Sequence, residues 1–128
     1  MFKQIINTEN APAPIGPYSQ AVRAGDWLFI SGQIPIIPST GELNNATIKD
    51  EATQVMENLK AILEASNISF ENIVKTTIFL SDMSLFTQVN EVYGSYFSGD
   101  YPARETVAVK GLPKNANVEI SMVAIINK

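Results

Sequence analysis

Neither cysteine nor histidine occurs among the 128 residues. Their absence removes thiolate nucleophiles, disulfides, imidazole general bases and the usual zinc ligand sets together. Any catalysis must then come from carboxylates, Arg, Lys, Tyr, hydroxyls or backbone groups. Positive charge is also scarce: nine Lys and Arg stand against thirteen Asp and Glu, for a net charge of −4. The basic residues are scattered, with no stripe of the kind that displaces counterions from a phosphate backbone, which speaks against nucleic-acid binding. No run approaches the ~20 apolar residues of a membrane span, and the opening MFKQIINTEN lacks a signal-peptide core. A cytoplasmic protein is expected. With 45% hydrophobic and 17% charged residues, the chain reads as one globular domain over 1–128, able to remove roughly two-thirds of its unfolded surface from water without a metal or disulfide staple.

The proline-rich TENAPAPIGPY, residues 8–18, is expected to be a rigid loop. WLFISGQIPI, Trp27–Ile36, reads as a strand with Leu28, Ile30, Gly32 and Ile34 on one face and Trp27, Phe29, Ser31 and Gln33 on the other. From Thr47 to Asn67, Ala52, Val55, Met56, Leu59, Ile62 and Leu63 recur at helical spacing, with Thr47 as cap, Asp50 in the first turn and Asn67 as stop. NIVKTTIFLSD is β-branched and reads as a strand. A second helix follows from about Ser84 to Phe97, capped by Asp82 or Ser84, with Phe86, Asn90, Tyr93 and Phe97 on one face. Strands over Arg104–Lys110 and Asn117–Ile126 close the chain as a hairpin around GLPKNA, and an extra strand is expected over Lys3–Asn7. The order strand, strand, helix, strand, helix, strand, strand predicts an α+β fold: a mixed sheet with both helices on one face. Val123 and Ile125 would then be left on the uncovered face, which predicts self-association through it.

Arg23 and Arg104 are the two arginines. Arg23 beside the turn AGD suits solvent. Arg104, after Pro102 at the mouth of a strand, can offer its planar fork to a carboxylate. Glu119 lies in an otherwise apolar strand, where partial burial would raise its pKa and suit it to carry protons. Glu105 alternates away from Arg104. Tyr18 ends the rigid loop, Ser31 and Gly32 interrupt an apolar strand in the manner of a bulge, and Asn90 sits among aromatics. No glycine-rich phosphate loop, nucleophile elbow or paired-carboxylate metal spacing is present.

Taken together, APAPIGPYSQAV, FISGQIP, VNEVYGSYF and PARETVAVKGLPKNANVEI resemble the Rid, or YjgF, family of reactive intermediate deaminases, in order and over nearly the whole chain. The resemblance implies a chorismate-mutase-like fold assembled as a homotrimer with clefts between subunits. It further implies hydrolysis of 2-imino acids, tautomers of enamines released by pyridoxal-phosphate dehydratases, to 2-oxo acids and ammonia. By the same resemblance Arg104 would clamp the substrate carboxylate and Glu119 would position or activate water. Tyr18, Ser31, Gly32, Asn90 and Thr106 would line the pocket. No metal or organic cofactor is implied, because a protonated imine is already electrophilic. Where many family members have a small residue and then cysteine after the arginine, this chain has Glu105 and Thr106. A thiol is not needed for imine hydrolysis, but Glu105 turned inward would weaken anion binding. Two other readings use the same framework: a regulatory trimer that binds a small carboxylate without turnover, and a ribonuclease or translation inhibitor, against which the acidic balance counts.

Overall fold

A computed structural model describes residues 2–126. The elements follow the expected order: β1 Lys3–Ile6, β2 Ala21–Ala24, β3 Trp27–Gln33, α1 Ile48–Ala65, β4 Ile73–Leu80, α2 Phe86–Gly94, β5 Ala103–Ala108 and β6 Val118–Ile125. They build a six-stranded sheet of spatial order β1-β2-β3-β6-β4-β5, antiparallel throughout except for β4 with β5. Both helices cover one face, as expected.

Helix α1 forms for the reasons its sequence gives. The Thr47 hydroxyl accepts a hydrogen bond from the Asp50 amide at 3.0 Å, satisfying an otherwise orphaned donor of the first turn. Val55, Met56, Leu59, Ile62 and Leu63 are at most 1% exposed, each contributing about 1.5–3 kcal/mol of burial. Past the last turn Asn67 takes φ +60°, and the Asn67 and Ile68 amides bond back to the Glu64 and Leu63 carbonyls, a left-handed stop. The second helix is shorter than expected. Asp82 caps a single 3₁₀ turn, Met83–Leu85, through the Ser84 amide at 2.8 Å, and α2 proper ends at Gly94.

The closing strands do not form the expected hairpin, because β4 lies between them. Burial explains the order. On β6, Val118, Ile120, Met122 and Ala124 are at most 2% exposed, so this strand occupies the middle, under α1. β5 carries Arg104, Glu105 and Thr106, which suit an edge. The connection crosses the end of β4, where the Val109 amide donates to the Leu80 carbonyl and the Ser81 amide to the Asn117 carbonyl.

A second correction concerns β3. Its register with β6 shifts between Ile30 and Gln33, so the bulge at Ser31–Gly32 exchanges the faces beyond it. Gln33, not Ile34, joins Leu28 and Ile30 in the buried set, at 6% exposure. The helix-free face is apolar and open, with Trp27, Phe29 and Val107 between 44% and 49% exposed.

Candidate functional site

Arg104 leaves β5 on the helix side of the sheet. Its register partner on β4 is Thr76, fully buried, and the Tyr93 hydroxyl of α2 donates to the Thr76 hydroxyl oxygen at 3.0 Å. The guanidinium lies 5.1 Å from the Tyr93 ring centroid and 5.6 Å from that of Phe86, and Nη1 donates to Asn90 Oδ1 at 2.7 Å. Two ring faces and an amide oxygen therefore fix the fork while leaving most of its donors free. Burial raises the Tyr93 pKa, opposed by the bond to Thr76 and by the Arg104 charge. A cavity of about 530 Å³ opens over Arg104, lined also by Asn90, Tyr93, Gly94, Tyr101 and Pro102. The shared helix face of Phe86, Asn90 and Tyr93 was legible in the sequence; their grip on Arg104 was not.

Thr106 follows on the same side of β5 but does not line that cavity, and its hydroxyl oxygen is buried without a hydrogen-bond partner. Glu105 points the other way. Its carboxylate sits 3.4 Å from Lys75 Nζ and accepts from the Thr77 hydroxyl at 3.5 Å, which answers the concern that it would oppose an anion at Arg104.

Tyr18, Ser31, Gly32 and Glu119 meet in a second cavity of about 530 Å³, lined otherwise by such residues as Pro12, Ile15, Ile34 and Lys114. Glu119 leaves β6 on the helix-free side, opposite Phe79 of β4. Gly32 makes room for it: a Cβ there would stand 2.5 Å from Glu119 Oε2. Burial among these groups raises the Glu119 pKa, which makes its carboxylate a stronger base than an exposed one. One wall is the proline loop, riveted by Gln20, which is 2% exposed. Its amide accepts from the Thr8 amide at 2.7 Å and donates to the Thr8, Ala11 and Pro12 carbonyls at 3.0, 3.3 and 2.9 Å. Ser31 serves the same loop, its hydroxyl donating to the Ser19 carbonyl at 2.6 Å. The Tyr18 hydroxyl accepts from the Ile15 amide at 3.2 Å, and the side chain stays 52% exposed.

The expected site residues thus fall into two groups. Arg104, Asn90 and Thr106 lie on the helix side at the sheet edge, while Tyr18, Ser31, Gly32 and Glu119 lie on the open side, and the two cavities share no lining residue. Among the described residues no group of three or more carboxylates is placed to hold a metal ion, and no helix is long and apolar enough to cross a membrane.

A mixed sheet backed on one side by two helices, with a cleft on each of its faces, defines the class: a small α+β protein of the chorismate-mutase-like type. A family model described as Endoribonuclease L-PSP matches residues 8–126, and the chain belongs to that family, the YjgF or Rid proteins. Among its relatives, a RutC family protein of Pyrococcus horikoshii is 54% identical over 96% of this chain and 98% of its own. The 2-iminobutanoate/2-iminopropanoate deaminase of Mus musculus is 45% identical over 98% of this chain and 93% of its own. The crystal structure of Escherichia coli TdcF with bound serine superimposes with a TM-score of 0.92 at 42% identity, covering 97% of this chain and 99% of that one.

Proposed function

We propose that this protein hydrolyses 2-imino acids to 2-oxo acids and ammonia in the cytoplasm, as a homotrimer whose clefts join the Arg104 face of one copy to the Glu119 face of the next. The observation that carries this reading is the separation of the two groups. An anion-binding arginine and a partly buried carboxyl group of raised pKa occupy opposite faces of one sheet, so a single small substrate reaches both when two copies meet. The exposed apolar face of Trp27, Phe29 and Val107 supports such an assembly, and the 45% identity to a deaminase of matching length supports the reaction.

In this scheme Arg104 holds the substrate carboxylate with charge-assisted hydrogen bonds. Glu119 takes a proton from a water as its oxygen bonds to C2 of the protonated imine. The same group returns that proton to nitrogen; as the C–N bond of the tetrahedral adduct breaks, the proton of the adduct's hydroxyl passes to Glu119 and on to the released ammonia, which departs as ammonium and leaves the ketone. Tyr18 and the apolar walls of the open cleft receive the substrate side chain. No step calls on a cofactor.

The test couples the protein to a threonine dehydratase, which generates the imine, in the presence of semicarbazide as trap. Wild type is expected to accelerate 2-oxo acid release, and Glu119→Gln to lose about 10²- to 10⁴-fold. Unchanged turnover in Glu119→Gln would remove that residue from the chemistry. A second reading, a sensor that binds a small carboxylate without reaction, is favoured by the serine bound to TdcF. It predicts saturable 2-oxo acid binding with no acceleration.

A further inference from the structure

Glu51, in the first turn of α1, is 2% exposed. A carboxylate so deeply placed must have its oxygens satisfied, and no cation does it: the two ion pairs among the described residues use other side chains. Both oxygens instead accept from Asn117, 66 residues away, Oε1 from its backbone amide at 3.0 Å and Oε2 from its side-chain Nδ2 at 2.7 Å. Asn117 is held equally from the other side. Its Oδ1 accepts from the Ser81 hydroxyl at 2.7 Å and its carbonyl from the Ser81 amide at 3.0 Å.

This clamp stands between two parts of the open cleft. Immediately before it, Lys114 and Asn115 adopt φ +56° and +57° in succession, a left-handed pair unfavourable for residues with side chains. Pro113 and Lys114 of that turn, and Glu119 two residues beyond Asn117, all line the cavity. A strained turn persists only where its surroundings over-determine it; here its own backbone bonds, from Asn115 to Leu112 and from Ala116 to Pro113, are followed at once by Asn117, which the buried Glu51 holds in place.

We propose that Glu51 is a positioning residue for the open cleft, acting through Asn117 to hold the Pro113–Asn115 turn and to set where Glu119 stands. The proposal rests on the deaminase reading for its effect on turnover but not for its effect on the turn. Since Arg104 binds the substrate carboxylate from the other face, loosening the clamp should lower kcat while leaving KM nearly unchanged.

Two readouts test it on the full chain. Trypsin cleaves after lysine in an extended chain, so the left-handed Lys114 is protected while the clamp holds. Glu51→Ala is expected to speed cleavage at Lys114 about tenfold with other lysines unaffected, and to lower kcat about 10- to 100-fold. Asn117→Asp, which sets two carboxylates against each other, should do the same. The double variant E51Q/N117D restores the contact with donor and acceptor exchanged, the introduced amide at position 51 donating its proton to the introduced carboxylate at position 117. It should recover both protection and kcat, a rescue that general destabilisation cannot produce, and one that serves as the test if Glu51→Ala does not fold. Wild-type protection and kcat in folded Glu51→Ala, loosening of the turn with kcat unchanged, or a double variant no better than Asn117→Asp would each overturn the proposal. If wild type turns over no imine, the deaminase reading fails by itself, and the trypsin arm still decides whether Glu51 holds the turn.

Discussion

Replacing Arg104 by alanine separates binding from folding because of where the guanidinium sits. In the fold it makes a hydrogen bond to Asn90 and rests on two ring faces; at a partly exposed site each ring contributes about 0.5–1 kcal/mol. With about 0.5–1 kcal/mol more for the hydrogen bond, deleting the side chain should cost stability of about 1.5–3 kcal/mol, or roughly 5–10 °C in Tm. Toward substrate the loss is a charge-assisted contact of about 1.5–3 kcal/mol, which at 1.36 kcal/mol per decade is about 10- to 150-fold in kcat/KM. The dehydratase-coupled assay reads this directly, with circular dichroism to confirm the fold. Arg104→Lys keeps the charge but loses the planar fork, so it should fall between wild type and alanine. A folded Arg104→Ala protein with wild-type kcat/KM would refute the clamp.

Three further outcomes follow from the open cleft and its neighbours. Burial raises the Glu119 pKa, so the folded chain keeps this proton to higher pH than the unfolded chain, and stability is withdrawn as pH climbs from the unfolded value through the folded one. Glu119→Gln should therefore melt above wild type at pH 7, with the gap closing by about pH 3, where both states of wild type are protonated; a lower Tm at pH 7 would contradict this. Gly32→Ala puts a Cβ 2.5 Å from Glu119 Oε2 and 2.9 Å from its Cγ, and should lower kcat at least about tenfold while retaining the fold, as read by the same assay and a melt. Tyr93→Phe removes the bond to buried Thr76, costing about 1 kcal/mol, yet keeps the ring under Arg104. A lower Tm with unchanged kcat/KM is expected, and a fall in kcat/KM would show that the hydroxyl does more than brace the helix.

Much of this fold was legible because its patterns are local. The periodicity from Ala52 to Leu63 requires only that neighbouring turns share a face, and the alternation of Val118, Ile120, Met122 and Ala124 only that a strand be pleated. Pairing order is a different kind of information. That β6 enters between β3 and β4 rather than beside β5 depends on which strand buries most, settled by contacts across the whole chain. The bulge at Ser31–Gly32 was recognisable as an interruption, but its consequence, exchanging Gln33 for Ile34 in the core, follows from the register with β6. The candidate site residues stand out by type and by resemblance, whereas their division between the two sheet faces needed the strand order. Glu51 carries no such signal, because an acid in a first helical turn normally complements the helix dipole at the surface, and its partner lies 66 residues away.

The most direct test of a shared cleft mixes two impaired proteins. Arg104→Ala and Glu119→Gln chains, unfolded together in equal amounts and refolded, should assemble at random. In a cyclic trimer about one cleft in four then joins an intact Arg104 face to an intact Glu119 face, so at limiting substrate the mixture should reach about a quarter of wild-type imine hydrolysis, while Arg104→Ala refolded alone keeps no more than about a tenth and Glu119→Gln about a hundredth or less. No recovery in a mixture shown to contain hybrid trimers would mean that the two groups do not serve one substrate, contradicting the account at its centre.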